Sequence, residues 1–395
     1  MTRRKKLAAI LALVVVFLFL FPRLSVRAEG EKASATEKIG ETAEELLDQL
    51  DLRFLNDYEE LAKRFFGEDG TLKDNLLSAM KGETATDYAD LFSYLKELLF
   101  SSLKSKLPLI VSLFCLIVFC SLARAFAPGK SDNGTGEIVH FVTFAVVISA
   151  VSVVVAEALS ETKETIDRMS GVIDGVFPVL LSIMAATGQS SSVSAFGPAA
   201  SFFSVCSTSV IGNVVYPVVS FLFAIAAVSN VGKGIRLNSL FSFFQSLLKW
   251  LIGLFGATFS FYLTVRGIAA SSFDGIALRT LKYAVGNSVP YVGGILKEGT
   301  DVILLSATLV KNALGVFGIL VVFSAAIVPV TNMIALRFLL KLLAGVTEPL
   351  SGGRIGDFFE KTAVVLDFLV AAILLTGFLF LSVVVMILLA GGTVI

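Results

Sequence analysis

The sequence predicts an all-α, polytopic membrane bundle of about seven spans preceded by a small extracytoplasmic helical segment, and three observations carry that reading. From Leu107 to Ile395 the chain is a succession of apolar stretches separated by short loops. Hydrophobic residues make up 55% of the chain and charged ones only 16%, where a soluble domain carries about 25% charged residues. Mean hydropathy is +0.85. In hydrocarbon every backbone amide must be bonded within its own segment, so an α-helix of about 20 residues is the element that crosses the apolar core of roughly 30 Å.

The overall charge balance of zero hides a segregation. The first 28 residues hold six basic side chains and no acidic one, and Glu29 to Lys106 holds 18 acidic against 10 basic, a net of −8. Residues 1–28 read as a signal peptide. Arg3, Arg4, Lys5 and Lys6 lead into the apolar run Leu7 to Phe21, then Pro22 and a small-residue site ending Val26-Arg27-Ala28. Whether the leader is cleaved or stays as an anchor, its basic flank stays cytoplasmic and the acidic segment goes outside.

Residues 29–106 read as two or three amphipathic helices. Ser34 with Glu37 fits a capping box. Leu47, Leu50, Phe54, Tyr58, Leu61 and Phe65 step by three or four and lay one apolar stripe along a helix, either as ordinary core or as an interaction face. Gly67 to Gly70 breaks it. A last periodic stretch from Tyr88 to Leu103 is expected to stop at Pro108, where the first span begins.

Residues 107–395 form the multi-spanning domain. The expected spans are Leu107 to Ala123, Val139 to Leu159, Gly171 to Thr187, Val214 to Ser229, Leu247 to Val265, Val302 to Val330 and Thr362 to Ala390. The Ser-rich and Gly-rich stretch from Gly188 to Asn213, and the region near Ala335 to Gly345, read as re-entrant or interfacial. Residues 171–282 and 283–395 resemble two copies of one unit. Pro178 and Pro217 are 39 apart, as are Pro290 and Pro329, and the strings Arg236-Leu-Asn-Ser-Leu-Phe241 and Arg354-Ile-Gly-Asp-Phe-Phe359 follow them. Repeat-built transporters and pores share this layout.

A charge in hydrocarbon is costly unless it meets a partner or water, so polar groups within the apolar stretches are the candidates for function. Asp174, Lys311 and Asp367 are expected to face the bundle interior, with Lys311 paired to one of the two carboxylates. Glu157, Lys249 and Arg266 sit nearer span ends and read as snorkelling groups. Other chemistries fall away. Gly129-Lys130-Ser131 ends like a phosphate-binding loop, but Arg124 stands where that loop needs its first glycine. Cys115, Cys120 and Cys206 lie in apolar stretches and are expected to pack in the bundle, with no disulfide or metal spacing. His140 is the single histidine. No enzyme, cofactor, metal or nucleic-acid partner is expected.

With these features in place, the strings Val176-Phe-Pro-Val-Leu-Leu-Ser-Ile-Met-Ala-Ala-Thr-Gly-Gln189, Ala227-Val-Ser-Asn-Val-Gly-Lys-Gly-Ile-Arg236 and Ser288-Val-Pro-Tyr-Val-Gly-Gly294 resemble the stage III sporulation protein AE family of endospore-forming bacteria. The resemblance implies a subunit in the mother-cell membrane surrounding the forespore, working with the other stage III A sporulation proteins. Through that secretion-like complex it implies a link to stage II sporulation protein Q across the intermembrane space. The implied role is a channel or feeding tube that sustains late, sigma-factor-G-dependent forespore gene expression, with homo-oligomers and the lipid bilayer as further contacts. The family brings no catalytic motif. Two readings follow: a structural and conduit subunit, or an ion-coupled permease that itself uses Asp174, Lys311 and Asp367.

Overall fold

The computed structural model describes residues 41–46, 88–126, 133–231, 237–288, 293–351 and 353–389. Every regular element among them is helical: α1 (Tyr88–Phe126), α2 (Asn133–Ala186), α3 (Ser190–Cys206), a π-helical segment (Ser207–Val215), α4 (Tyr216–Val228), α5 (Asn238–Ser288), α6 (Gly293–Ser351) and α7 (Arg354–Leu389). The chain is an all-α helical bundle. The leader and the stripe Leu47, Leu50, Phe54, Tyr58, Leu61 and Phe65 lie outside the described residues. Of the acidic segment, 41–46 are helical, and Ala43 is fully buried in the main core.

Among the described residues, six helices are long and apolar enough to cross a membrane. The count falls below seven because Val139 to Leu159 and Gly171 to Thr187 belong to one helix, the 54-residue α2. The charged run between them, Glu161 to Ser170, contains no glycine or proline to break a helix. It also supplies its own support. Glu164 and Arg168 pair at 2.6 Å one turn apart, and the Thr162 and Thr165 hydroxyls, which would otherwise compete for the backbone, are satisfied within the helix by the carbonyls of Ala158 and Glu161 at 2.7 Å.

Where α2 does end, the sequence states why. Gly188 has φ +78°, its N–H donates to Ala185 O at 3.1 Å, and Gln189 N–H donates to Met184 O at 2.9 Å. That is a Schellman closure, in which a left-handed residue turns the chain and satisfies two orphan carbonyls. The expected re-entrant stretch after it is instead helix, α3 followed by the π segment. The region Ala335 to Gly345 is likewise continuous with α6.

Pro108 does not stop its helix either, and α1 runs through the expected boundary at 106/107 to Phe126. An interior proline costs an isolated helix roughly 3 kcal/mol. Burial of Ile110, Leu113 and Ile117 in the core offsets that cost.

The core is organised around α6, which packs mainly on α7, then on α1 and α2. Cross-contacts fix the directions. Phe144 of α2 meets Phe358 of α7 edge to face at 5.3 Å, and Phe177 meets Phe380 at 5.8 Å, so α2 and α7 run in parallel. Gly318 of α6 lies against Val176 and Phe380, whereas Gly356 of α7 lies against Ala344 O, so α6 runs antiparallel to both. At Gly315 a Cβ would come within 2.7 Å of Leu388, and the missing side chain allows this close approach.

Candidate functional site: a belt of charge across the bundle

The helices are too long for one bilayer. Val302–Pro349 counts 48 residues and Phe141–Ala186 counts 46, so at about 1.5 Å per residue each is roughly 70 Å long, against an apolar core of roughly 30 Å. Part-way along these lengths, charged and amide side chains from five helices gather in one band.

On one side of α6, three helices are tied in series. Ser102 of α1 donates its hydroxyl to Asn332 Oδ1 at 2.8 Å, and Asn332 Nδ2 donates to Glu161 Oε1 of α2 at 3.0 Å. Lys106 of α1 lies 4.0 Å from Glu157 of α2. On the other side, Arg337 of α6 forms an ion pair with Asp367 of α7. Lys341 of α6 and Lys249 of α5 are close enough to act electrostatically on the same carboxylate. The level is chemically suited to water or headgroups: paired charges stand next to apolar helix faces above and below.

The three candidate residues are not brought together. Asp174 lies on the exposed face of α2 rather than inside the bundle. Asp367 is half-buried with Arg337 as its partner, not Lys311. Lys311 is in the interior, 1% exposed, and its ammonium donates to Ile387 O at 3.2 Å. The expected Lys311–carboxylate pair is therefore corrected. The acceptor is a main-chain carbonyl of α7 rather than a carboxylate. Lys311 thus ties α6 to the main chain of α7. Cys115 is also corrected, because it sits on the exposed face of α1.

A second buried charge among the described residues, Lys361 of α7, has no signature of its own in the sequence because it sits where a span begins, like any flanking charge. It is 7% exposed. Its ammonium donates to Asn238 Oδ1 at 2.6 Å and Ser229 Oγ at 3.0 Å, and pairs with Asp357 at 2.6 Å. The Phe241 ring centroid lies 5.6 Å away. All three protons of the ammonium are used. The sequence does carry an indirect signal for it: Asn238 and Phe241 belong to the string Arg236 to Phe241, and Asp357 to the string Arg354 to Phe359. Arg337 was hidden in the same way, inside a region taken for an interfacial one.

The fold and these sites can be set beside known proteins. No solved structure matches the chain. Stage III sporulation protein AE of Bacillus subtilis (strain 168) is 24% identical over 382 residues, covering 94% of this chain and 96% of that protein. The family model for stage III sporulation protein AE matches residues 71–391, which takes in α1 to α7. The chain belongs to the stage III sporulation protein AE family, a multi-pass membrane protein with a role in sporulation.

Proposed function

We propose that the chain is a structural and conduit subunit of a secretion-like channel complex between mother cell and forespore, needed for late forespore gene expression. It works in the mother-cell membrane that surrounds the forespore, with its acidic segment facing the intermembrane space. Its partners are the other stage III A sporulation proteins and, through them, stage II sporulation protein Q. The chain performs no catalysis, and any energy input comes from another subunit.

The observation that carries this reading over a permease is the separation of the three membrane-embedded charges. Lys311 is bonded at Ile387, 20 residues or about 30 Å of helix from Asp367. Asp367 is held by Arg337, and Asp174 points out of the bundle. An ion-coupled carrier brings its titratable groups to one central site where repeats meet, while here each group closes a different structural gap. The two matching strings lie at the starts of α5 and α7 and meet at Lys361, but the elements before them differ, α3, the π segment and α4 in one half against the single helix α6 in the other.

The test replaces Asp174, Lys311 and Asp367 singly by Asn, Met and Asn. The conduit reading expects assembly with complex members to track the fold, with Asp174→Asn silent in both assembly and forespore gene expression. Loss of transport from Asp174→Asn in a fully assembled complex would instead favour the permease.

A further inference from the structure

One face of α2 changes chemistry along its length. On the N-terminal side of the belt it presents Ile138, Val142, Val146 and Val153, all large, apolar and exposed. At about 100° per residue the same face continues through Asp167, Asp174, Pro178, Ser182 and Ala185, and all five are exposed. Among the described residues of α2, none after Val153 is a large apolar side chain left exposed. Val176, Phe177, Leu180 and Met184 are all buried in the core. A stretch that is apolar by composition is thus amphipathic in the fold.

At the same height α5 does the opposite. α5 and α7 run in parallel, because Lys361 of α7 bonds Asn238 of α5, and Gly256 of α5 lies where a Cβ would come within 3.2 Å of Leu375 of α7. Five residues further along each helix stand Phe261 and Phe380, and Phe380 meets Phe177 of α2. Phe261 is 73% exposed, with Leu254 and Val265 exposed on either side of it. Within about one turn of height, α5 therefore turns a phenylalanine outward and α2 an aspartate. A carboxylate is costly in hydrocarbon and exposed apolar area is unfavourable in water, so a single surrounding medium does not suit both.

We propose, on the conduit reading, that the bilayer covers α5 at this height while the outer face of α2 from Asp167 to Ala185 borders water, as the wall of an aqueous path. The path opens at the Ser190 end of the helix, where Ser190 and Ser194 of α3 are also exposed. Asp174 is the single charged residue between Gly171 and Pro198, and water at the wall keeps its carboxylate solvated without a partner inside the bundle. Small side chains at Ser182 and Ala185 keep the wall low.

The test labels single cysteines in the full-length chain, with Cys115, Cys120 and Cys206 replaced by Ala, in open membrane fragments from sporulating cells so that reagent reaches both faces. A charged methanethiosulfonate attacks through the thiolate, which forms in water and not in hydrocarbon. Ser182→Cys and Ala185→Cys, both close to the native size, and Asp174→Cys should react at least about tenfold faster than Val142→Cys and Phe261→Cys. Reaction at Ser182→Cys and Ala185→Cys as slow as at Val142→Cys would put lipid or a protein neighbour against this face and overturn the wall. Fast reaction at Phe261→Cys as well would put this whole height of the bundle outside the bilayer and overturn the sided arrangement. Ser182→Trp tests the conduit separately, and it should lower forespore gene expression while the chain still accumulates. A silent Ser182→Trp beside a fast Ser182→Cys would keep the water-facing wall and overturn the conduit reading.

Discussion

Two lysines of the same chemistry hold different bonds, and their replacement separates them. Lys361 has a carboxylate, an amide and a hydroxyl as partners, and Asp357 is 43% exposed and can take up water, so Lys361→Met should lower stability by about 3 kcal/mol through the loss of three charge-assisted bonds. Adding Asp357→Asn should change that little, read as the unfolding midpoint of the purified chain. Lys311 holds a main-chain carbonyl. Lys311→Met should therefore cost less, about 1–3 kcal/mol, and neither Asp174→Asn nor Asp367→Asn should rescue it; rescue by either would restore the carboxylate partner that the sequence suggested. Hydropathy made Lys311 legible, because a lysine in the middle of an apolar run has to be interior or functional. Its partner was not legible, because a main-chain carbonyl has no signature in residue type. Lys361 shows the converse failure, since a charge at the edge of a span looks like every other flanking charge until the partners that converge on it are known.

At the scale of elements, apolar length was legible and breaks in it were not. The expected loop between Leu159 and Gly171 was inferred from charge, yet charged residues are good helix formers and only a breaker ends a helix. The true end at Gly188 carries that breaker. Gly188→Ala should cost about 1–2 kcal/mol, because the residue sits at φ +78°. Two glycines near the α6–α7 turn give a sharper contrast. A Cβ at Gly356 would lie 3.0 Å from the main-chain oxygen of Ala344, and one at Gly345 would meet nothing within 4 Å. Both occupy helices, where alanine is favoured over glycine by about 1 kcal/mol. Gly345→Ala should then be neutral or stabilising, and Gly356→Ala destabilising as two backbones are pushed apart. The same sign of effect at both positions would mean that the hairpin is not packed this closely.

At the scale of the whole molecule, composition was enough to give an all-α membrane bundle, because no other element keeps its amides bonded in hydrocarbon. The belt was not legible, because its members are spread from Ser102 to Asp367 and share a level only once helices of 36 to 59 residues are aligned. The continuity of α2 decides the topology. Were Val139 to Leu159 and Gly171 to Thr187 separate crossings, Asn133 and Ser190 would lie on the same side of the membrane. Asn133 opens the 54-residue α2 and Ser190 follows just past its end at Ala186, so the two termini of that helix lie about 80 Å apart, and a helix that crosses once must put them on opposite sides. In a chain with Cys115, Cys120 and Cys206 replaced by Ala, Asn133→Cys should react with an impermeant thiol reagent from one face of sealed vesicles and Ser190→Cys only from the other. On the proposed orientation, with the acidic segment outside, Asn133 should label from the cytoplasmic face and Ser190, which is exposed, from the outer one. Labelling of both from a single face would break α2 at its charged run and return the bundle to seven crossings.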